Sequence, residues 1–224
     1  MYNFAIEQGL LEQFINPFQQ TSLRESRKKK KTLTREQIIA SRKVLTQFIE
    51  REKMQRGYRS PLYPAWFWLI VVETFNYTAI RLNQLIHLRV RDIDLVHDTL
   101  FIQIEGSKSH DEHIVPIASR LRPWLEHLLE EAKTRGMRAG DQLFNVNQFS
   151  RRTLRQGKAM TENQVSYFFA KPSDACHSRF SSHRYRHTVA TELMQKLLGH
   201  RDIKVTLSYI EHNVEMLRSC VERD

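Results

Sequence analysis

The chain has 224 residues, 41% of them hydrophobic, enough for one good-sized core and a small extra segment. Its 35 lysines and arginines against 25 acidic residues leave a formal charge of +10, which points to a polyanionic partner such as nucleic acid. Cys176 and Cys220 stand alone, without a CxxC pair or a Cys/His ladder, which argues against a disulfide framework or a structural zinc and fits a reducing cytoplasm.

In chain order, residues 1–20 space Phe4, Ile6, Leu10, Leu11 and Phe14 as a helix would, and Asn16-Pro17 ends the pattern. This reads as the last helix of a preceding domain. The basic run of Arg27, Lys28, Lys29, Lys30 and Lys31 is too charged to pack and is expected to be a linker, either simply solvated or strapped across a DNA backbone. Thr34 and Gln37 have the spacing of a capping box, so a folded domain is expected from residue 33, its first helix burying Ile38, Ile39, Val44, Leu45 and Ile49.

The most apolar run, residues 63–75, is 13 residues long, too short to span a bilayer, and no signal-peptide pattern opens the chain. It predicts a buried helix whose Trp66, Phe67 and Trp68 pack in the core. A shorter helix then buries Ile80, Leu82, Leu85, Ile86 and Leu88 and gives way to an extended segment near Asp92. Alternation over residues 99–117 predicts a β-hairpin connected by residues 106–112, with Lys108 near its tip. Further helices are expected over residues 121–135 and 161–170, with "FNVNQF" as a short connection. The fold class is mainly α with a small antiparallel β-sheet, an α+β arrangement.

Residues 183–187, "HRYRH", concentrate groups suited to phosphate. A helix beginning near Ser182 buries Val189 and Leu193 and places His183 and Arg186 on one face. Farther on, "LLGHRDIKVTLSYIEHN" places Gly199 as a helix terminator, His200 just past it and Tyr209 on the helix that follows.

The ordered set Arg81 in "YTAIRLNQL", Lys108 in "EGSKSHDEH", His183 and Arg186 in "HRYRHTVAT", His200 in "KLLGH" and Tyr209 in "TLSYIEHN" resembles the catalytic domain of the tyrosine recombinases of the phage-integrase type. The resemblance spans about residues 33–212. It implies the tyrosine-recombinase catalytic-domain fold and a site-specific recombinase or integrase, with DNA cut and rejoined through a 3′-phosphotyrosyl intermediate. Double-stranded DNA is then the partner, self-association into a tetramer on DNA is expected, and the cell is bacterial, the gene its own or a phage's, with the protein on the nucleoid.

By the same resemblance Tyr209 is the nucleophile, Arg81 and Arg186 clamp the phosphate, Lys108 protonates the leaving oxygen, His183 assists proton removal and His200 bonds the phosphate. Arg184, Tyr185 and His187 are expected to flank the motif, pack or touch the DNA backbone, Arg184 with the basic linker being assigned to DNA. Residues 1–32 become the end of an absent core-binding domain plus linker, and residues 33–224 the catalytic domain with a C-terminal helix.

The chemistry asks for these groups independently. Metal-free phosphodiester cleavage needs charge neutralisation, a nucleophile and a proton donor, and planar guanidinium forks hold phosphate oxygens better than lysine does. No metal or cofactor is called for. A type IB topoisomerase, a noncatalytic DNA-binding module and an RNA-binding protein are the alternatives, the last set back because the hairpin offers only Phe101 for stacking.

Two features depart from the family's pattern. Ala79 and Gln84 stand where the family usually has Gly and Glu around the first arginine. More seriously, His200 follows Arg186 by only fourteen positions. The family carries about nine more residues there, and one unbroken helix rising about 1.5 Å per residue would hold the two side chains roughly 20 Å apart. The spacing therefore predicts residues missing between Met194 and Gln195, where the chain should turn back.

Overall fold

A computed structural model of the protein describes residues 2–10, 32–55, 57, 58, 60–103, 105, 112–150 and 158–197. Two compact units are present, Met1–Lys30 and Lys31–Asp224. In the first, α1 (Tyr2–Glu7) ends at Gly9, whose φ of +68° is the left-handed conformation glycine adopts without strain. The helix expected to run on to Asn16 therefore stops at Glu7, leaving Leu10 outside it and exposed, while residues 11–20 and the basic run lie outside the described residues.

The second unit opens with its first helix where the sequence predicts it, but of the five residues expected to be buried only Ile38 and Leu45 are, Val44 and Ile49 being half-buried and Ile39 52% exposed. Helix α2 (Arg35–Met54) is capped by Thr34, whose hydroxyl accepts from the Gln37 amide at 3.3 Å while the Gln37 side chain accepts from the Thr34 amide at 3.0 Å. The buried side of α2, Ile38, Ser41 and Leu45, belongs to the core that contains α3 (Ala65–Thr78). Every residue of α3 but Trp66 is buried. Around it Trp68 stacks on Phe168 at 4.4 Å, and Phe67 meets Phe149 at 5.5 Å. Each such side chain contributes about 1.5–3 kcal/mol by leaving water.

Polar residues on so buried a helix need internal partners. The Thr74 hydroxyl donates to the Ile70 carbonyl at 2.8 Å, and Glu73 holds Arg42 of α2 through two bonds. The helix closes at Ala79, whose φ of +55° lies in the left-handed region.

Helix α4 (Leu82–His87) and a single 3₁₀ turn, Val90–Asp92, lead into the sheet. It has three antiparallel strands in the order β1-β2-β3: β1 (Ile93–Asp94), β2 (Thr99–Ile102) and β3 (His113–Pro116). The expected hairpin is present, and β1 adds a short edge to it. Leu100 pairs with Val115 on the core side, while Phe101 and Ile114, also paired, stay partly exposed.

Helices α5 (Arg122–Thr134), α6 (Val146–Phe149), α7 (Glu162–Ala175) and α8 (Ser182–Leu197) complete the unit. Two expectations are corrected. The connection "FNVNQF" contains the turn of α6, capped by the Asn145 side chain accepting from the Asn147 amide at 3.1 Å. Helix α7 continues past residue 170 through Pro172 to Ala175. Proline removes one helical donor, but Pro172 is buried and the Ser173 hydroxyl bonds the Phe169 carbonyl at 2.6 Å, so packing outweighs the local preference to stop.

Candidate functional site

The site grows from the α3–α4 turn. Ala79 takes the left-handed conformation there, Ile80 is buried, and Arg81 follows as the N-cap of α4 in extended conformation. The backbone amide of Arg81 donates to Oε1 of Gln84 at 2.7 Å. The amide at position 84 thus does the capping that a glutamate would do, without adding a negative charge beside the arginine. Ala79 is less well matched to its place, because a left-handed residue with a Cβ costs about 1–2 kcal/mol that glycine escapes.

Helix α8 brings the second arginine to the same turn. Arg186 is only 8% exposed, and its Nη1 donates to the Ala79 carbonyl, two residues before Arg81. A guanidinium so buried keeps its charge, and this bond fixes one edge of the fork.

What aims α8 is Tyr185. Its ring is fully buried between Phe169 and Phe180, with centroids at 6.0 and 6.4 Å. Its hydroxyl lies 2.8 Å from Ser41 Oγ, and because Ser41 already donates to the Ile38 carbonyl, Tyr185 is the donor. Burial pushes the Tyr185 phenol well above its ordinary range, so this tyrosine is a neutral anchor and no nucleophile. One turn on, the Thr188 hydroxyl accepts from the Leu33 amide at 2.7 Å and ties α8 to the start of the domain.

With Tyr185, Val189 and Leu193 facing inward, His183 is exposed and His187 half-buried. The two histidines meet, Nε2 to Nε2 at 2.8 Å, with their rings at 88°. Sequence reasoning passed His187 over, although two histidines four positions apart on a helix carry the signal for such a contact. Arg184 is half-buried at the helix start, its amide bonded to the Ser181 carbonyl at 3.0 Å.

Arg81, His183, Arg184 and Arg186 are therefore placed by α4 and α8. Lys108, His200, Tyr209, Arg27, Lys28, Lys29, Lys30 and Lys31 lie outside the described residues, Lys108 in the connection between β2 and β3. A cavity of about 470 Å³ near the sheet is lined by Arg91, Asp92, Phe101, Gln103, Glu105 and Glu112. Its three carboxylates have the wrong sign for phosphate.

The break expected between Met194 and Gln195 is absent. Helix α8 runs through both to Leu197. The reason is local: from Glu192 to Leu197 every residue is a good helix former, and the first glycine comes only at Gly199.

This mainly helical arrangement, with its small antiparallel sheet, is the fold of solved recombinases and integrases. The Tn1549 transposon integrase in complex with circular intermediate DNA matches with a TM-score of 0.60 at 17% identity, covering 99% of this chain and 75% of that one. XerH recombinase bound to its difH substrate matches at 0.54 and 17%, covering 81% and 50%. The phage integrase family profile matches residues 68–216, and the chain belongs to that family.

Among curated relatives, a putative tyrosine recombinase XerC of Pseudomonas syringae is 37% identical, covering 97% of this chain and 48% of its own length. Its counterpart in Pseudomonas aeruginosa is 38% identical, covering 98% and 53%. The chain thus spans about half the length of these relatives. The alignments run over 228 and 230 positions, more than the 224 residues of the chain, so the relatives carry residues that it lacks.

Proposed function

We propose that this chain is the strand-cleaving part of a site-specific DNA recombinase or integrase. The observation that carries the reading is the bond from Arg186 to the Ala79 carbonyl, which sets the second arginine against the turn that presents the first. In this reading the Arg81 and Arg186 guanidiniums together clamp the nonbridging oxygens of a phosphodiester.

Tyr209 attacks phosphorus, the Tyr209 Oη–P bond forms and the P–O5′ bond breaks, leaving a 3′-phosphotyrosyl link. The phenolic proton passes to His183, and the leaving 5′ oxygen takes a proton from Lys108. His200 bonds the phosphate. The 5′ hydroxyl of a partner strand then reverses the attack, and the phosphotyrosyl bond conserves the energy that rejoining needs.

Arg184 and the basic run 27–31 contact the DNA backbone, residues 1–32 end a core-binding domain, and residues 33–224 form the catalytic domain. The working assembly is a tetramer on double-stranded DNA, acting in a bacterial cytoplasm at the nucleoid. None of the helices among the described residues is long and apolar enough to cross a membrane.

A duplex nicked just beyond the cleavage point tests this, because loss of the short fragment traps the covalent intermediate. An adduct with the unaltered chain, absent from Tyr209→Phe, is the expected result. DNA retained equally by both, with no adduct, refutes the enzyme.

The unbroken course of α8 favours one second reading, a noncatalytic DNA-binding module. From Arg186 to Leu197 the helix advances about 16 Å, and the three residues on to His200 reach back only about 10 Å. The twelve residues to Tyr209 reach about 40 Å, so the nucleophile has ample chain to return and His200 is the group under constraint.

A further inference from the structure

The contact between His183 and His187 has no part in the phosphate clamp. Both sit on α8, four positions apart, and their Nε2 atoms face each other at 2.8 Å with the ring centroids 4.2 Å apart. Two neutral imidazoles meeting in this way cannot share one tautomer. One ring carries its proton on Nε2 and donates, and the other accepts through Nε2 and holds its proton on Nδ1.

We infer that His187 is a positioning residue for His183: it orients the His183 ring and holds the hydrogen bond that the protonated ring makes. The inference rests on the strand-cleavage reading above, in which His183 receives the Tyr209 proton. As the Tyr209 Oη–P bond forms and the P–O5′ bond breaks, that proton arrives at Nδ1 of His183. Nε2–H of His183 then donates to Nε2 of His187, so the positive charge that develops is met by a charge-assisted hydrogen bond, about twice as strong as a neutral one. His187 gains no net proton, and Lys108 supplies the leaving oxygen as before.

Position favours this division of labour. His187 is half-buried on a helix clamped by Tyr185 and Thr188, whereas His183 is exposed and within reach of a ligand. The inner histidine is held still, and the outer one is aimed by it.

Two measurements on the full chain decide the matter. On nicked duplex at saturating concentration, His187→Phe, which keeps ring volume without a bonding nitrogen, slows adduct formation by about 10- to 100-fold, part of the 10²–10⁴ that general acid–base groups contribute. DNA affinity stays within about twofold, because the phosphate contacts that dominate it are untouched. His187→Gln, whose amide oxygen accepts from the same place, recovers most of the rate.

The second measurement needs no DNA. A ¹⁵N–¹⁵N coupling through the hydrogen bond joins the Nε2 atoms of His183 and His187 in the parent and is lost in His187→Phe. Adduct rates unchanged in His187→Phe, or lost in parallel with DNA affinity and thermal stability, overturn the inference, as does absence of the coupling in the parent. An unaltered chain that forms no adduct overturns the strand-cleavage reading itself, and the coupling still decides whether the pair exists.

Discussion

Arg42 and Glu73 join α2 to the helix that carries the α3–α4 turn, and removing either one tests how this core holds charge. The pair is bidentate, Nε to Oε1 at 2.6 Å and Nη2 to Oε2 at 2.5 Å. It is also lopsided, since the Glu73 side chain is 5% exposed and that of Arg42 32%. Arg42→Met leaves a carboxylate buried without its cation. Breaking a buried pair costs about 3–5 kcal/mol, and because water reaches the vacated arginine position, about 3 kcal/mol is expected here. Glu73→Gln leaves an arginine that still touches water and lies 5.9 Å from the centroid of the Tyr77 ring, so its cost is about 1–2 kcal/mol. Replacing both, Arg42→Met with Glu73→Leu, removes the desolvated charges together and returns stability to within about 1 kcal/mol of the parent. Urea unfolding followed by circular dichroism, with midpoints compared at constant m, gives all three values. A Glu73→Gln cost equal to or above that of Arg42→Met would refute the reasoning, because it would mean that burial depth does not set the penalty.

Tyr185→Phe tests the anchor of α8 through pH. The folded-state pKa of the phenol is raised above its unfolded value near 10, so its share of stability is complete below about pH 10 and is lost as pH rises through the folded value. Above pH 10 the parent should lose up to about 1.4 kcal/mol per pH unit more than Tyr185→Phe, while at pH 7 the variant is about 1 kcal/mol less stable for want of the Ser41 bond. Parallel stability curves through pH 11 would show that the phenol is not buried as described. Separately, inserting nine residues between Met194 and Gln195 should raise the adduct yield on nicked duplex about 100-fold if reach limits the reaction, since misplacement by an ångström costs about that much. An unchanged yield would show that the chain already returns unaided.

Much of the scaffold was readable from local signals. The Thr34 capping box, the buried run that became α3, the β2–β3 hairpin and the start of α8 at Ser182 each depend on residues within a few positions of one another, and each stands where the pattern put it. Failures arose where local and nonlocal terms compete. Pro172 carries a stop signal that burial overrides, and Ala79 gives no hint of a left-handed conformation because alanine does not favour one. At Met194 plain helix propensity held and α8 runs on unbroken, although the relatives carry residues that this chain lacks.

By itself the sequence determined which residues are available for phosphate chemistry, because guanidinium, imidazole and phenol are properties of side chains and their order along the chain is covalent. Only the tertiary structure decided how "HRYRH" divides. Tyr185 reaches Ser41 across 144 positions, Thr188 reaches Leu33 across 155, and Arg186 reaches Ala79 across 107. Such contacts follow from how α8 packs on α2 and α3, and that packing sends one histidine outward, pairs it with its neighbour and points the arginine at the turn beside Arg81.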